Sequence, residues 1–360
     1  MVIHVRAPGR VNIIAEHTDY TDGFVLPMAI DLGVEITGEP SDERSLIVTS
    51  REEASTIELS TDADPRGDGS WRDYFAGVVR ALRESGEVVP GARIEIRSSL
   101  PIGAGLSSSA ALLVGTLYLL HELQGRTIDR TALARLAQRA EFLGTGARTG
   151  IMDQFVIANG RAGRAVLLDC RSLEETLVRL PSSASFLVVD SGVRHSVATS
   201  EYNVRRQECE AAAAALGVAA LRDAGDGDRA KIEGLEEPLR SRALHVVQEN
   251  ERVLAASRAF EDADLALAGR LMSASHRSLR DLYEVSVPEL DEIVDVAERT
   301  PGVHGARMTG AGFGGCVVVL IDAQRAGSVR EHLLSSLRKR RGVDLRSWNV
   351  RASDGVEVIA

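Results

Sequence analysis

Two short stretches of this chain hold residue types that could do chemistry. The first is GAGLSSS at 103–109, glycines and serines running straight into the apolar segment AALLVGTLYLLHEL. A flexible linker would not continue into an apolar helical run. The stretch is therefore expected at a helix N-terminus, where backbone N–H groups lack partners and the helix dipole is positive. Such a place binds anions. Gly103 and Gly105 let the backbone come close, and serine hydroxyls can add hydrogen bonds or ligate a metal. A serine-capped core helix is the plain structural alternative. The second stretch is EHTDY at 16–20, whose His17 and Asp19 could ligate a metal or form no more than a polar turn after a strand.

Other chemistries are excluded by what is missing. Of 42 basic residues only Lys231 and Lys339 are lysines, so a cation in an active site has to be an arginine. A Walker loop, a Schiff base and a protein-kinase strand lysine all become unlikely choices for this chain on that count. The serines at 107–109 lack the G-x-S-x-G frame of a nucleophile elbow. GAGFGG at 310–315 fits the spacing of a dinucleotide fingerprint, which must open a helix, yet CVVVLID follows and reads as a strand. A tight strand–turn–strand crossing close to a ligand is the expectation there.

The elements that must position these stretches follow from periodicity. Residues 2–40 read as short strands joined by polar turns, and LIVTS, TIELS and ARIEIRSSLP alternate as half-buried strands do. Helices are expected over 70–86, 107–124 and 129–144. AVLLDC, TLVRLP and SFLVVDSG read as strands again, then helices over 200–216, 241–260 and 263–282 and the segment 287–302, then the strand–turn–strand 303–322. Strands segregated from helices indicate an α+β fold with mixed sheets. With 360 residues, one compact core is too small. The change of texture near 165–185 places the seam between a first domain over 1–180 and a second over 181–360.

Composition narrows the partners. Apolar residues at 44% and charged residues at 26% describe a globular chain, and a net charge of −10 argues against nucleic acid. The one basic run, LRKRRG at 337–342, suits a helix end or solvated face. No apolar run approaches the roughly 18 residues that a membrane span needs. Cys170, Cys209 and Cys316 lie far apart, without disulfide or zinc spacing, and the opening MVIHVRAPGR lacks the apolar stretch of a secretory signal. A cytoplasmic protein is the expectation.

Taken together, the motifs resemble those of the galactokinase family, within the GHMP superfamily of small-molecule kinases. APGRVNIIAEHTDYTDGFVLPMAI is similar to that family's N-terminal signature, and LPIGAGLSSSAAL to the superfamily's phosphate loop. GIMDQF, DSGVRHSVATSEYNVRR, SHRSLRDLYEVSVPELD and GARMTGAGFGGC resemble further blocks in the expected order, so the likeness covers nearly the whole chain. It implies a two-domain architecture with the active site in the cleft between domains, and an ATP-dependent 1-kinase acting on galactose, without a nucleic-acid or membrane partner and as a monomer. Related sugars (N-acetylgalactosamine, arabinose) and a non-catalytic sugar sensor are the competing readings. Galacturonate would want a cation where Glu16 stands.

The resemblance also assigns residues. ATP is expected on Gly103, Ala104, Gly105, Leu106, Ser107, Ser108 and Ser109, and Mg²⁺ on Glu141 with Ser109 or Ser108. Arg10 is the implied catalytic cation, its planar fork suited to spread phosphoryl charge and to pairing with Asp153. Asp153 is the implied base for the anomeric hydroxyl, or a group that only orients it. Glu16, His17 and Asp19 would bond the other ring hydroxyls, with Gly150 and Tyr202 as further sugar contacts. Three positions depart from the family pattern. Ala15 replaces a usual glycine; at a positive φ this would cost roughly 1 kcal/mol and could tilt Glu16. Phe142 stands for a frequent histidine and Thr149 for a frequent cysteine, both expected to be peripheral.

Overall fold

The computed structural model describes residues 1–101, 103–194 and 198–359. Ile102 of the expected phosphate loop and residues 195–197 of the 190–206 block lie outside the described residues. The first half runs through strands β1 (Ile3–Asn12), β2 (Phe24–Val25), β3 (Pro27–Pro40), β4 (Ser45–Ser50) and β5 (Ser55–Ser60), then helix α1 (Arg72–Glu84) and β6 (Ala92–Ser98). Helices α2 (Ser108–Leu123), α3 (Arg130–Thr145) and α4 (Met152–Asn159) precede β7 (Arg164–Asp169) and β8 (Glu175–Arg179). The second half opens with β9 (Ala184–Asp190), followed by α5 (Ala198–Leu216), α6 (Arg229–Glu233), α7 (Leu239–Glu261), α8 (Leu265–Asp281) and α9 (Pro288–Glu298). It ends with β10 (Val303–Thr309), β11 (Cys316–Asp322), α10 (Ala326–Arg341), β12 (Ser347–Val350) and β13 (Glu357–Ile359).

Strands assemble in the order β13-β1-β3-β6-β4-β5, β10-β11-β9-β12 and β2-β7-β8. This is the expected α+β arrangement; the six-stranded sheet is mixed through the parallel pair β4–β6, and the other two sheets are antiparallel. Between β8 and β9 the chain leaves one sheet for another, and β13 later returns to pair with β1, His4 opposite Ile359. The last residues therefore pack with the first half. The second sheet lies between two cores. Phe186 and Val188 of β9 and Cys316, Val318 and Leu320 of β11 join one cluster, whereas Leu187, Val189, Val317, Val319 and Ile321 join the other. A strand buried on both faces has no polar side to show, which is why SFLVVD and CVVVLI read as continuous apolar runs.

Two local expectations need correction. The strands before residue 40 are long, with ten residues in β1 and fourteen in β3, because their apparent breaks (Pro8-Gly9, Gly33) are absorbed as a register shift at Pro8/Arg10 within a continuing ladder. Helix α4 was not expected at all. It is eight residues long and almost wholly buried, so it shows no amphipathic period to read. The basic run closes α10, where Arg338, Lys339, Arg340 and Arg341 face the negative end of the helix dipole. Among the described residues no helix is long and apolar enough to cross a membrane.

Candidate active site

The glycine–serine stretch does form the turn into α2. Gly103 and Gly105 have φ of 67° and 77°, and Ser107, just before the helix, is also left-handed at 58°. Ser107 does not cap α2: its hydroxyl donates to Asp153 Oδ2 instead. The first amides of α2 are thus not spent on a serine cap, as a phosphate cradle requires. Ala104 and Leu106 bury their side chains in the core, so only their backbone can meet a nucleotide. The expected strand–turn–strand around 310–315 is present between β10 and β11. It backs the loop directly: a Cβ at Gly310 would lie 3.1 Å from Gly105 O, and one at Gly315 3.2 Å from Ala104 O.

Arg10 enters from β1 just past the register shift, with its backbone N–H on Leu106 O. Its Nε and Nη2 donate to Asp153 Oδ1 and Oδ2, both at 2.6 Å, and Nη1 donates to Gly105 O at 2.7 Å. Burial alone would lower its pKa; Asp153 and Glu16 more than offset that and hold it above the ordinary arginine value. Asp153 sits in the first turn of α4. Among the described residues these bonds commit three of the five N–H donors of the guanidinium and leave two for an oxyanion. Asp153, Arg10 and the 103–109 loop form one hydrogen-bonded unit.

The EHTDY turn is tied to both halves of the chain: Thr18 bonds Ala15 and Phe24 locally, and α7 and the turn after β10 hold Ala15 and Glu16. Ala15 is left-handed at φ 76°, so the usual glycine would be relaxed here and alanine is strained by roughly 1 kcal/mol. Its N–H donates to Glu249 Oε1 on α7 (3.1 Å), and Asn12 Nδ2 donates to its carbonyl (2.9 Å). Glu16 Oε1 accepts the Gly310 N–H at 2.7 Å, and His245 Nε2 meets the Glu16 carbonyl at 3.2 Å. Nothing tilts Glu16 out of the site.

His17 differs from expectation. Burial first, then neighbouring His245, drives its pKa down to about 3, so the ring is neutral. Nε2 lies 3.0 Å from Ala311 O and must donate to it, which leaves Nδ1 to accept from the Tyr20 hydroxyl at 2.8 Å. Tyr20 then accepts from Tyr283 (2.7 Å), and Tyr283 from the Cys209 thiol (3.0 Å), a chain with a single direction. The ring nitrogens are therefore both bound within the protein. They neither bond a ring hydroxyl nor ligate a metal; the ring lines the cavity and fixes Ala311.

Asp19 faces the same cavity, and burial, then Asp153 and Glu16, raise its pKa to about 7. Gly150 lies flat against it, since a Cβ there would stand 1.9 Å from Asp19 Oδ2. The Tyr202 ring packs on those of His17 and Tyr20 at 5.4 and 5.1 Å.

Ser109 Oγ donates to Glu141 Oε1 at 3.0 Å. Thr149 and Gln154 donate to Oε2 at 2.9 and 2.8 Å. Thr149 is thus not peripheral but a partner of the candidate metal ligand, whereas Phe142 is exposed. A hydroxyl and a carboxylate are the hard oxygens that suit Mg²⁺. Among the described residues no three His, Cys, Asp or Glu converge as metal ligands, so a cation here would share these oxygens with phosphates.

Two cavities meet at this unit. One, of about 230 Å³, holds Glu16, His17, Asp19, Glu141, Gly150 and Tyr202; the other, of about 470 Å³, holds Gly103, Gly105, Ser107 and Ser108 with Val34, Trp71, Ile96 and Leu112. Both are walled by Arg10, Tyr74, Ser109, Asp153, Gly310 and Ala311. Trp71 and Tyr74 were not expected as site residues. Their spacing at a helix start was the available signal, and it reads equally well as an ordinary apolar face.

The chain matches the galactokinase galactose-binding signature over residues 3–40, the GHMP kinases N terminal domain over 73–161 and the GHMP kinases C terminal region over 256–339. It is 45% identical to a galactokinase of Roseiflexus sp. over 358 residues, 98% of this chain and 92% of that one. It is 43% identical to the galactokinase of Thermotoga maritima, covering 99% of both. The structure of Lactococcus lactis galactokinase complexed with galactose superposes with a TM-score of 0.93 at 30% identity, over 99% of this chain and 95% of that one. Mevalonate kinase from Methanococcus jannaschii shares the fold at a TM-score of 0.68. A glycine–serine loop at a helix start, a buried Arg–Asp pair and a polar turn on one cavity, joined to full-length identity of this order, lead to one assignment: the chain belongs to the galactokinase family of the GHMP kinases.

Proposed function

We propose that this chain transfers the γ-phosphoryl group of ATP to the anomeric hydroxyl of galactose, giving galactose 1-phosphate and ADP. The observation that carries the reading is the shared wall. A cavity lined by Glu16, Asp19 and Asp153 meets a cavity lined by the phosphate loop, and Arg10 and Asp153 belong to both. Asp153 accepts the hydrogen bond of the anomeric hydroxyl and takes its proton as the oxygen attacks phosphorus. The two uncommitted donors of Arg10 meet the charge spread over the phosphoryl oxygens. Glu16 and Asp19 hold the remaining hydroxyls, and Trp71, Val34, Ile96 and Leu112 offer an apolar slot for the nucleotide base.

Ser109 and Glu141 would hold Mg²⁺, which when bound with ATP neutralises phosphate charge. An ATP co-substrate and three free, buried cysteines support a cytoplasmic setting. A coupled ADP-release assay across hexoses and pentoses tests the reading: galactose should give the highest kcat/KM, and turnover of another sugar with none of galactose would refute it.

Asp19 supplies a second, independent test. With its pKa at about 7 instead of the ordinary 3.8, the folded state keeps a proton that the unfolded chain has lost. Between those two values its contribution to stability therefore grows as pH falls, and above pH 7 its charge is a burden. Asp19→Asn should raise Tm at pH 8 and leave it nearly unchanged at pH 4. The same change should weaken galactose binding roughly tenfold, because one of the two carboxylate acceptors facing the ring hydroxyls becomes an amide donor. Parallel melts at the two pH values, with galactose titration calorimetry, check both halves.

A further inference from the structure

Among the described residues the largest fully buried side chain is a charged one, Arg307 on β10. Its Nη1 donates to Asn12 O at 2.9 Å and lies 3.4 Å from Glu16 Oε1, while Nε and Nη2 have no hydrogen-bond partner among the described residues. A buried ion pair with unspent donors is a poor stabiliser, and an apolar side chain of similar volume often serves at least as well. Rules of packing are broken mostly where function requires it. What Arg307 touches points to the reason.

Arg307, Thr309 and Gly310 follow one another along β10 and its end, and all three converge on a single atom, Glu16 Oε1, at 3.4, 3.2 and 2.7 Å. Arg307 itself lines neither cavity. The guanidiniums divide the work: Arg10 grips Asp153, and Arg307 faces Glu16. We propose that Arg307 is a positioning residue for sugar recognition. As the buried counter-charge of Glu16 it pins Oε1 and so aims Oε2 at a ring hydroxyl, setting sugar affinity without touching the sugar. The proposal rests on the galactose reading of that cavity.

The test uses Arg307→Met, Glu16→Gln and the double variant in the full chain, with KM for galactose and for ATP and the melting temperature of each. The parent enzyme is assayed first, since absence of galactose turnover there refutes the galactose reading before any variant is considered. Arg307→Met should raise the galactose KM by roughly tenfold or more and leave the ATP KM within about twofold, since only a sugar contact is disturbed. It should also melt lower, because Glu16 is left as an unpaired buried charge. The double variant removes both charges and should recover much of the lost melting temperature, yet its galactose KM should equal that of Glu16→Gln. A merely structural arginine would move both KM values together. If Arg307→Met does not fold, Glu16→Gln against the double variant still decides. A further tenfold loss of sugar affinity on adding Arg307→Met means the arginine does not act through Glu16, and the proposal falls. It falls equally if folded Arg307→Met keeps the parent's galactose KM.

Discussion

Replacing Asp153 by asparagine is expected to lower kcat by roughly 10²–10⁴-fold, the usual contribution of a positioned base, while both substrates still bind. The variant keeps the shape of the side chain. One oxygen remains for an Arg10 N–H, and the Ser107 hydroxyl can turn from donor to acceptor. The other Arg10 donor then faces an amide NH₂ in a site where Arg10 is 5% exposed. That mismatch should lower stability by about 1–3 kcal/mol without unfolding the chain. Arg10→Lys should be severely impaired too. A lysine carries the charge but cannot bridge both Asp153 oxygens and the Gly105 carbonyl, as Arg10 does with Nε, Nη2 and Nη1. Because Arg10, Asp153 and Ser107 form one unit, the Arg10→Lys/Asp153→Asn double variant should be barely slower than the slower single one. Rapid-quench measurement of the phosphoryl step settles the matter. Near-normal turnover in Asp153→Asn would show that the aspartate orients the hydroxyl without taking its proton.

How far the sequence speaks for this site depends on whether the signal is local. The phosphate loop is legible because its chemistry lies in consecutive residues: glycines that reach positive φ, followed by a run that can only be a buried helix. The second sheet is legible as strands, and its burial on both faces is legible from unbroken apolar runs. The Arg10–Asp153 pair, separated by 143 residues, was reachable only through resemblance to a family. The clamp behind the sugar turn left no trace. Glu249 and His245 sit four residues apart on α7, and Arg307 alternates with apolar neighbours on β10; single charged residues in such patterns read as solvated faces. All three are buried, and what makes them intelligible is a contact with residues 12–16, more than 200 positions away. His17 shows the opposite error. Family resemblance implied hydrogen bonds from it to a sugar, but the fold gives both nitrogens to Tyr20 and Ala311.

Gly105→Val is expected to damage nucleotide binding far more than sugar binding. Gly105 has a φ of 77°, a conformation that costs any L-residue roughly 1–2 kcal/mol and a β-branched one more. Space adds to strain: a Cβ would stand 3.3 Å from Thr309 O, so valine's methyl groups must push the loop off the turn behind it. The loop can relieve this only by moving toward the phosphates, and the Gly105 carbonyl that holds Arg10 Nη1 moves with it. Apparent KM for ATP should therefore rise by at least about tenfold, the equivalent of one lost hydrogen-bonding contact, with a fall in kcat as Arg10 loses its anchor. The EHTDY turn shares the Thr309–Gly310 corner with the loop but is otherwise tied to Glu249 and His245 on α7 and to Asn12. Galactose should accordingly bind the variant with nearly the parent affinity in titration calorimetry without nucleotide. That retained binding also serves as the control for folding. A folded Gly105→Val enzyme whose ATP KM matches the parent's would remove the loop from the nucleotide site, and with it the cavity assignment on which the proposed mechanism stands.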